Sequence, residues 1–88
     1  MTSKRKKEIR RLFGDHLKSQ REDVLGIKSI RQFSFHSGID PSKLTKIEKG
    51  EIDVRFETLL KVALAYKLKH KDIFNFDINF WDEELSKE

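Results

Sequence analysis

Apolar residues recur every three or four positions through most of this chain, which is the spacing of one face of an α-helix. The first such face predicts a helix over about 4–22, and its members are Ile9, Leu12, Phe13, His16 and Leu17. Further faces predict helices over about 30–37, 41–49 and 55–66 and a short fifth helix over about 70–75, with Asp53 as the N-cap of the fourth. The pattern therefore predicts an all-α domain of five helices, with a loop from Val24 to Lys28 after the first.

The second and third predicted helices are short, and a single glycine, Gly38, separates them. Ser29 is placed to cap the second helix, and Gln32, three residues later, completes a capping box. Asp40 is placed to cap the third helix, with Pro41 at the first helical position, where its missing N–H costs nothing. Because Gly38 readily adopts the left-handed turn between two helices, the segment is typical of a helix-turn-helix unit that binds duplex DNA.

The third helix has an apolar side and a polar side. Leu44 and Ile47 are expected to face the core. The outward row is polar and basic and suits contacts with base edges and phosphates; its members are Ser42, Lys43, Thr45, Lys46 and Lys49.

Beyond residue 74 the apolar period changes from helical to alternating, which predicts a short C-terminal extended or β segment. We divide the chain into a helical domain, 1–75, and an aromatic and then acidic tail, 76–88. The tail either pairs with its copy in a second subunit or packs on the domain. We expect it to cover the outward-pointing Phe35, within one subunit or across a dimer. The residues assigned to this dimer or tail packing are Phe35, Phe74, Phe76, Ile78, Phe80 and Trp81.

Composition restricts the class of protein. The 88 residues suffice for one small domain, and 39% of them are charged. Residues 4–11 contain six Lys or Arg and one Glu, whereas residues 72–88 contain six Asp or Glu and one Lys. The chain has no cysteine and no apolar run near the roughly 20 residues that span a bilayer, so we expect a cytoplasmic protein without membrane contact. Its three histidines lack ligand spacing and no catalytic motif occurs, so we expect no metal, no cofactor and no enzyme activity.

The ordered motifs of the chain resemble the Cro and phage-repressor type of helix-turn-helix protein, the XRE family. The resemblance covers about residues 9–75. It rests on Leu-Lys-Ser-Gln-Arg in helix one, Phe-Ser-x-x-Ser-Gly-Ile around helix two, Leu-Thr-Lys-Ile-Glu-Lys-Gly in helix three, Thr-Leu-Leu-Lys-Val-Ala-x-Ala in helix four and Asp-Ile-Phe in helix five. The resemblance implies a five-helix, lambda-repressor-like domain that is commonly dimeric and acts on a palindromic operator.

The family also implies roles for individual residues. The start and next turn of helix three would read bases, which assigns Pro41, Ser42, Lys43 and Lys46. The phosphate-contacting residues would be Ser29, Arg31, Gln32, Thr45, Lys49 and Arg55. A structural ion pair would join Arg21 to Glu48. The chain departs from the family at Ile30, where many members carry a glutamine that links helix two to DNA.

Two other functions remain open at this point. The same fold serves in an antitoxin-like module that masks a partner protein and autoregulates its own operon, with the aromatic tail as the docking segment. An RNA-binding module is a third reading, but the chain lacks the exposed aromatic platform on which single strands stack. The leading expectation is a homodimeric transcription regulator with double-stranded DNA as its partner.

Overall fold

The computed structural model of the protein describes residues 2–77, and within this range the predicted all-α class is confirmed. The four α-helices of this range are α1 (Ser3–Ser19), α2 (Ile30–Ser37), α3 (Pro41–Glu48) and α4 (Phe56–Ala65). A 3-10 turn, His70–Asp72, follows. None of the helices in residues 2–77 is long and apolar enough to cross a membrane.

The start and stop signals read from the sequence are confirmed around α2 and α3. The Ser29 hydroxyl accepts a hydrogen bond from the backbone N–H of Gln32 at 3.3 Å, which is one of the two bonds of a capping box. The Asp40 carboxylate accepts from the backbone N–H of Lys43 at 3.2 Å, and Pro41 occupies the first turn of α3. Gly38 between the helices is left-handed, with φ 73°. These local bonds fix where the two helices begin and how the chain turns between them.

The core lies where α1, α2, α3 and α4 meet. It is formed by Phe13, Leu17, Phe33, Leu44, Ile47, Val62 and Tyr66. Phe33 of α2 and Tyr66, directly after α4, are in ring contact with centroids 4.5 Å apart. Because α3 buries Leu44 and Ile47 in this core, its opposite face is directed outward.

The predicted loop from Val24 is wrong at its start, because α1 continues as a π-helical turn, Gln20–Val24. The backbone N–H of Leu25 donates to the Gln20 carbonyl at 2.9 Å, which is the five-residue spacing of a π-helix. This wider turn includes Arg21, whose side chain is almost completely buried. Hydrophobic periodicity cannot predict a single wide turn, since the turn does not change which residues are apolar.

The C-terminal predictions need three corrections within residues 2–77. The fifth helix predicted over 70–75 is only the 3-10 turn, and residues 74–77 do not form a strand. The N-cap of α4 is Arg55, without a side-chain cap bond, and not Asp53. In a longer helix the backbone N–H of Phe76 would donate to the Asp72 carbonyl, but it donates to the Phe74 carbonyl at 2.9 Å. The Asp72 carbonyl oxygen lies 2.7 Å from a ring nitrogen of His16.

The aromatic residues after this turn pack on α1. Phe74 and Phe76 have ring centroids 5.7 and 6.4 Å from that of Phe13. Phe76 also contacts His16, at 5.4 Å between rings, so within one chain it does not cover Phe35. Phe35 is 84% exposed. The other predicted tail residues, Ile78, Phe80 and Trp81, lie outside the described residues.

Candidate nucleic-acid interface

The outer face of α3 carries exposed side chains, most of which are polar or basic. Its first turn presents Pro41, Ser42 and Lys43, all exposed. One turn later Lys46 is exposed, and Lys49 is exposed at the C-terminal cap. The four residues that the sequence assigns to base contacts therefore share one accessible face of an eight-residue helix. A face of this width and chemistry fits a major groove, where lysine can donate to guanine O6 and N7.

The residues assigned to phosphate contacts are placed less uniformly. Ser29, Arg31 and Gln32 are exposed at the start of α2, and Arg55 is exposed at the start of α4. Thr45 is half-buried, and its hydroxyl donates to the Pro41 carbonyl at 2.9 Å. The single hydroxyl proton of Thr45 is thus used within α3, and the side chain would have to rotate before it donated to a phosphate.

A cation that the sequence reasoning missed lies on α4. Lys61 lines a small hollow of about 160 Å³ together with Lys43 of α3, and Thr58 and Asp40 line it too. In the sequence, Lys61 is one of three polar positions of α4, with Glu57 and Thr58, and periodicity does not predict that it lies beside α3. The hollow adds a second positive group to the N-terminal flank of α3.

Behind α3, three side chains form a buried polar centre. The Arg21 guanidinium donates to both oxygens of Glu48, from Nε to Oε2 and from Nη2 to Oε1, each at 2.9 Å. Tyr66 donates its hydroxyl proton to Oε2 of Glu48 at 2.6 Å. The remaining guanidinium nitrogen, Nη1, donates to the carbonyls of Ile27 and Lys28, at 2.9 and 2.7 Å. One arginine therefore ties the end of α3 to the segment that leads into α2.

Within this centre, Glu48 stabilises the protonated forms of both Arg21 and Tyr66. The hydrogen bond to Glu48 raises the pKa of Arg21, against the opposing effect of burial. Burial raises the pKa of Tyr66, and the hydrogen bond to Glu48 and its negative charge raise it further. Arg21 is therefore held as a cation and Tyr66 as a neutral phenol, the two states that can both donate to a carboxylate. Sequence reasoning predicted Arg21 and Glu48 but missed Tyr66.

The described residues contain no group of three or more His, Cys, Asp or Glu side chains that could hold a metal ion. His16 is half-buried and engaged with the Asp72 carbonyl. Since a carbonyl only accepts, the ring nitrogen that faces it carries the proton.

A model of the helix-turn-helix family HTH_3, the Cro/C1 type, matches residues 17–73, which is more than half of the chain. The matched range contains α2, Gly38 and α3 in the order and geometry described above. The chain belongs to this XRE-type helix-turn-helix family. As an XRE-type protein it is a double-stranded-DNA-binding domain of the class that regulates transcription. Comparison with curated proteins and with solved structures found no match.

The match of this XRE-type chain begins inside α1, so the first 14 helical residues, from Ser3 to His16, precede it. This part of α1 carries the basic run of residues 4–11. Two α1 cations, Arg11 and Lys18, lie beside α3. Arg11 belongs to the basic run of residues 4–11, whose charge predicts phosphate contact, whereas Lys18 was not among the residues predicted to contact DNA. The spacing of Arg11 and Lys18 predicts that they share one face of α1, because residues seven apart lie on one face of a helix, but it does not predict which helix that face meets.

Proposed function

We propose that the protein is a sequence-specific transcription regulator that binds a palindromic operator as a homodimer, with α3 in the major groove of each half-site. The observation that carries this proposal is the division of α3 into a buried apolar side and an exposed side of Pro41, Ser42, Lys43, Lys46 and Lys49. The exposed side has donors for base edges and charge for phosphates, and the caps at Asp40 and Gly38 fix its orientation.

Within this proposal Lys46 is the principal base reader, with Pro41, Ser42 and Lys43 in the preceding turn. The exposed groups at the start of α2 hold the phosphate backbone and set the register of α3. Arg55 and Lys49 contribute charge on the flanks. Pro41 has no N–H, so its contribution is an apolar contact, for which the methyl group of thymine is the matching partner.

A selection of bound fragments from random duplexes tests the proposal directly. We expect an enriched palindrome whose half-sites are about 10 base pairs, or ~34 Å, apart, because two symmetric α3 helices must enter successive major grooves. A parallel selection with a Lys46→Ala variant serves as the control, and it should return a relaxed half-site. Recovery of random duplexes with no common sequence would contradict specific binding, and no recovery at all would contradict DNA binding.

The homodimer is supported by an exposed apolar stripe on α4, formed by Phe56, Leu60 and Leu64. These side chains are 71%, 47% and 80% exposed. Apolar residues four positions apart lie on one side of a helix, so the stripe is one surface that a second copy would cover. The second candidate for dimer contacts is the tail, 76–88.

Sedimentation equilibrium of point variants separates these dimer surfaces. A Leu64→Lys substitution should weaken a dimer that uses the stripe. The matched control is Val24→Lys, which changes an equally apolar side chain, 69% exposed, on another part of the surface. If both variants dimerise like the wild type, the stripe is not the dimer surface, and a variant that lacks the tail, 76–88, is tested next. A monomeric wild-type protein would contradict the homodimer.

The alternative function, an antitoxin-like module that masks a partner protein, is favoured by the same exposed stripe together with Phe35. If this alternative holds, the chain should co-purify with the product of a neighbouring gene in a complex that Leu64→Lys disrupts. A complex that forms through the stripe and leaves the protein monomeric on its own would favour masking over a self-sufficient repressor.

A further inference from the structure

The groove between α1 and α3 is lined by Lys49, a predicted phosphate contact, and by two cations of α1, Arg11 and Lys18, that have no role in the contacts described above. We propose that this groove is a second phosphate-binding site, in which Arg11 and Lys18 of α1 hold a backbone phosphate of the duplex that α3 reads. The inference rests on the proposed function, since it names a further contact of the same DNA-binding surface.

Two glycines bring α1 and α3 into backbone contact. A Cβ atom on Gly14 would lie 2.2 Å from the carbonyl oxygen of Glu48 at the end of α3. A Cβ atom on Gly50, just beyond α3, would lie 2.7 Å from both N and Cα of Arg11. Only glycine fits at either place, so the two helices cross with no side chain between them. Any long side chain beside this crossing is therefore held close to α3.

Arg11 and Lys18 lie three residues before and four residues after Gly14, so they flank the crossing on the same face of α1. Both side chains are exposed. The exposed Lys49, at the C-terminal cap of α3, faces them from the other wall. Cations from two separate helices thus converge on one groove.

The groove has a volume of about 400 Å³, and its lining residues are Arg11, Asp15, Lys18, Arg21, Ile30, Thr45, Glu48 and Lys49. Arg21 and Glu48 neutralise each other in their buried ion pair. What remains is three cations and one carboxylate, that of Asp15. The groove is therefore positive, and an anionic oxygen cluster is the ligand that it suits.

The position of the groove favours a phosphate of duplex DNA over a free anion. Thr45 and Lys49 of α3 belong both to the groove and to the helix that would enter the major groove, and Ile30 is the first residue of α2. A major groove is about 12 Å wide and is bordered by a phosphate backbone on each side. A cation cluster on the flank of α3 then faces one of these borders when α3 is seated.

The test compares two double substitutions that remove the same charge. In Arg11→Gln/Lys18→Gln the groove cations are lost. In the matched control, Lys69→Gln/Lys71→Gln, two exposed lysines are lost near the 3-10 turn that contacts His16, on a face of α1 away from Gly14. Duplex binding is measured against salt concentration for each protein, with thermal unfolding to establish that both are folded.

We expect the groove variant to bind selected and random duplexes more weakly by the same factor, roughly eightfold per lost contact at ~0.1 M salt. This figure follows because each phosphate contact contributes about 0.9 to the slope of log binding constant against log salt concentration. Asp15→Asn should have the opposite effect and strengthen binding. A single neutral methylphosphonate linkage can be placed at each position of the duplex in turn. We expect it to weaken binding of the wild-type protein at one position, and at that position binding of the groove variant should not change.

The outcomes separate this inference from the proposed function. Equal binding by the groove variant and the control would overturn the phosphate site while leaving the DNA-binding function in place. A groove variant that changes base preference without changing the salt slope would also overturn it. A wild-type protein that binds no duplex would overturn the proposed function itself.

Discussion

The inner and outer faces of α3 carry different chemistry within eight residues. On the inner face Leu44 is 0% exposed, Ile47 1% and Glu48 7%. On the outer face the side chains are exposed and make no contact on which the core depends. Stability and recognition therefore depend on separate residues of one helix, and a substitution on one face should leave the property of the other unchanged.

The largest expected effect is on the inner face. Glu48→Ala removes the carboxylate on which Arg21 and Tyr66 converge and leaves a buried guanidinium without its partner. Loss of one member of such a pair costs about 3 to 5 kcal/mol. We therefore expect partial or complete unfolding in urea or thermal denaturation. Glu51→Ala, an exposed glutamate just beyond α3, is the control and should be nearly neutral. An unchanged midpoint for Glu48→Ala would contradict the role of this centre.

The next effect concerns the backbone crossing behind the same face. Gly14→Ala would gain about 1 kcal/mol of helix propensity but would place its Cβ against the Glu48 carbonyl. Backbone cannot move aside as a flexible side chain can, so we expect overpacking to dominate, with a net loss of up to about 3 kcal/mol. Ser19→Ala, at an exposed position of α1, is the matched control. A Gly14→Ala protein as stable as the wild type would show that α1 and α3 can separate at little cost.

Features of the fold that depend on neighbouring residues could be predicted from the sequence, whereas features that involve distant residues could not. Ser29, Gly38, Asp40 and Pro41 act on their immediate neighbours, so the sequence predicted the limits of α2 and α3 well. The π-turn around Arg21 was not predicted, because one wide turn leaves the apolar pattern unchanged, and the bond from Arg21 to Glu48 joins residues 27 apart in the sequence. The fifth helix was predicted too long, and the contact of Asp72 with His16, 56 residues away, has no signal in the local sequence.

The same distinction between local pattern and distant contact applies to the candidate site. The outward row of α3 follows from helical period alone: Ser42, Lys43, Lys46 and Lys49 are exposed, whereas Thr45 is half-buried. Tyr66 was missed as a member of the polar centre because a tyrosine on an apolar helix face is ordinarily a core residue. Lys18 was missed, and Arg11 was not distinguished from the rest of the basic run, because the contact of Gly14 with Glu48 that places both beside α3 joins residues far apart in the sequence.

A smaller effect on the inner face is expected from Tyr66→Phe, which keeps the ring contact with Phe33 and removes only the hydroxyl. At neutral pH we expect a loss of about 1.5 to 3 kcal/mol, the range for a hydrogen bond to a charged group. Urea titrations of both proteins measure this difference.

The same pair of proteins gives a pH test. Because the pKa of Tyr66 is raised in the folded state, its contribution to stability is complete below the ordinary tyrosine pKa of about 10. Above that pH the unfolded chain releases the phenolic proton first, and wild-type stability should fall by about 1.4 kcal/mol per pH unit relative to Tyr66→Phe. Lysines titrate in both proteins and cancel in the difference. A constant difference between pH 7 and 11 would contradict the buried neutral phenol.

The smallest effect on the free energy of unfolding is expected from Lys46→Ala, which is also the most specific test of the outer face of α3. The exposed side chain can be lost without a change in the thermal midpoint. Binding to the selected operator should weaken by about 1 to 3 kcal/mol, and the penalty for substituting one base pair of the half-site should disappear. Lys69→Ala is the control for loss of charge alone: it should lower affinity slightly for all duplexes and leave the penalty for each base-pair substitution unchanged.

If Lys46→Ala behaved like that control, Lys46 would be a phosphate contact, and base recognition would be assigned to Ser42 and Lys43 in the preceding turn. If it lowered the midpoint instead, the two faces of α3 would not be independent.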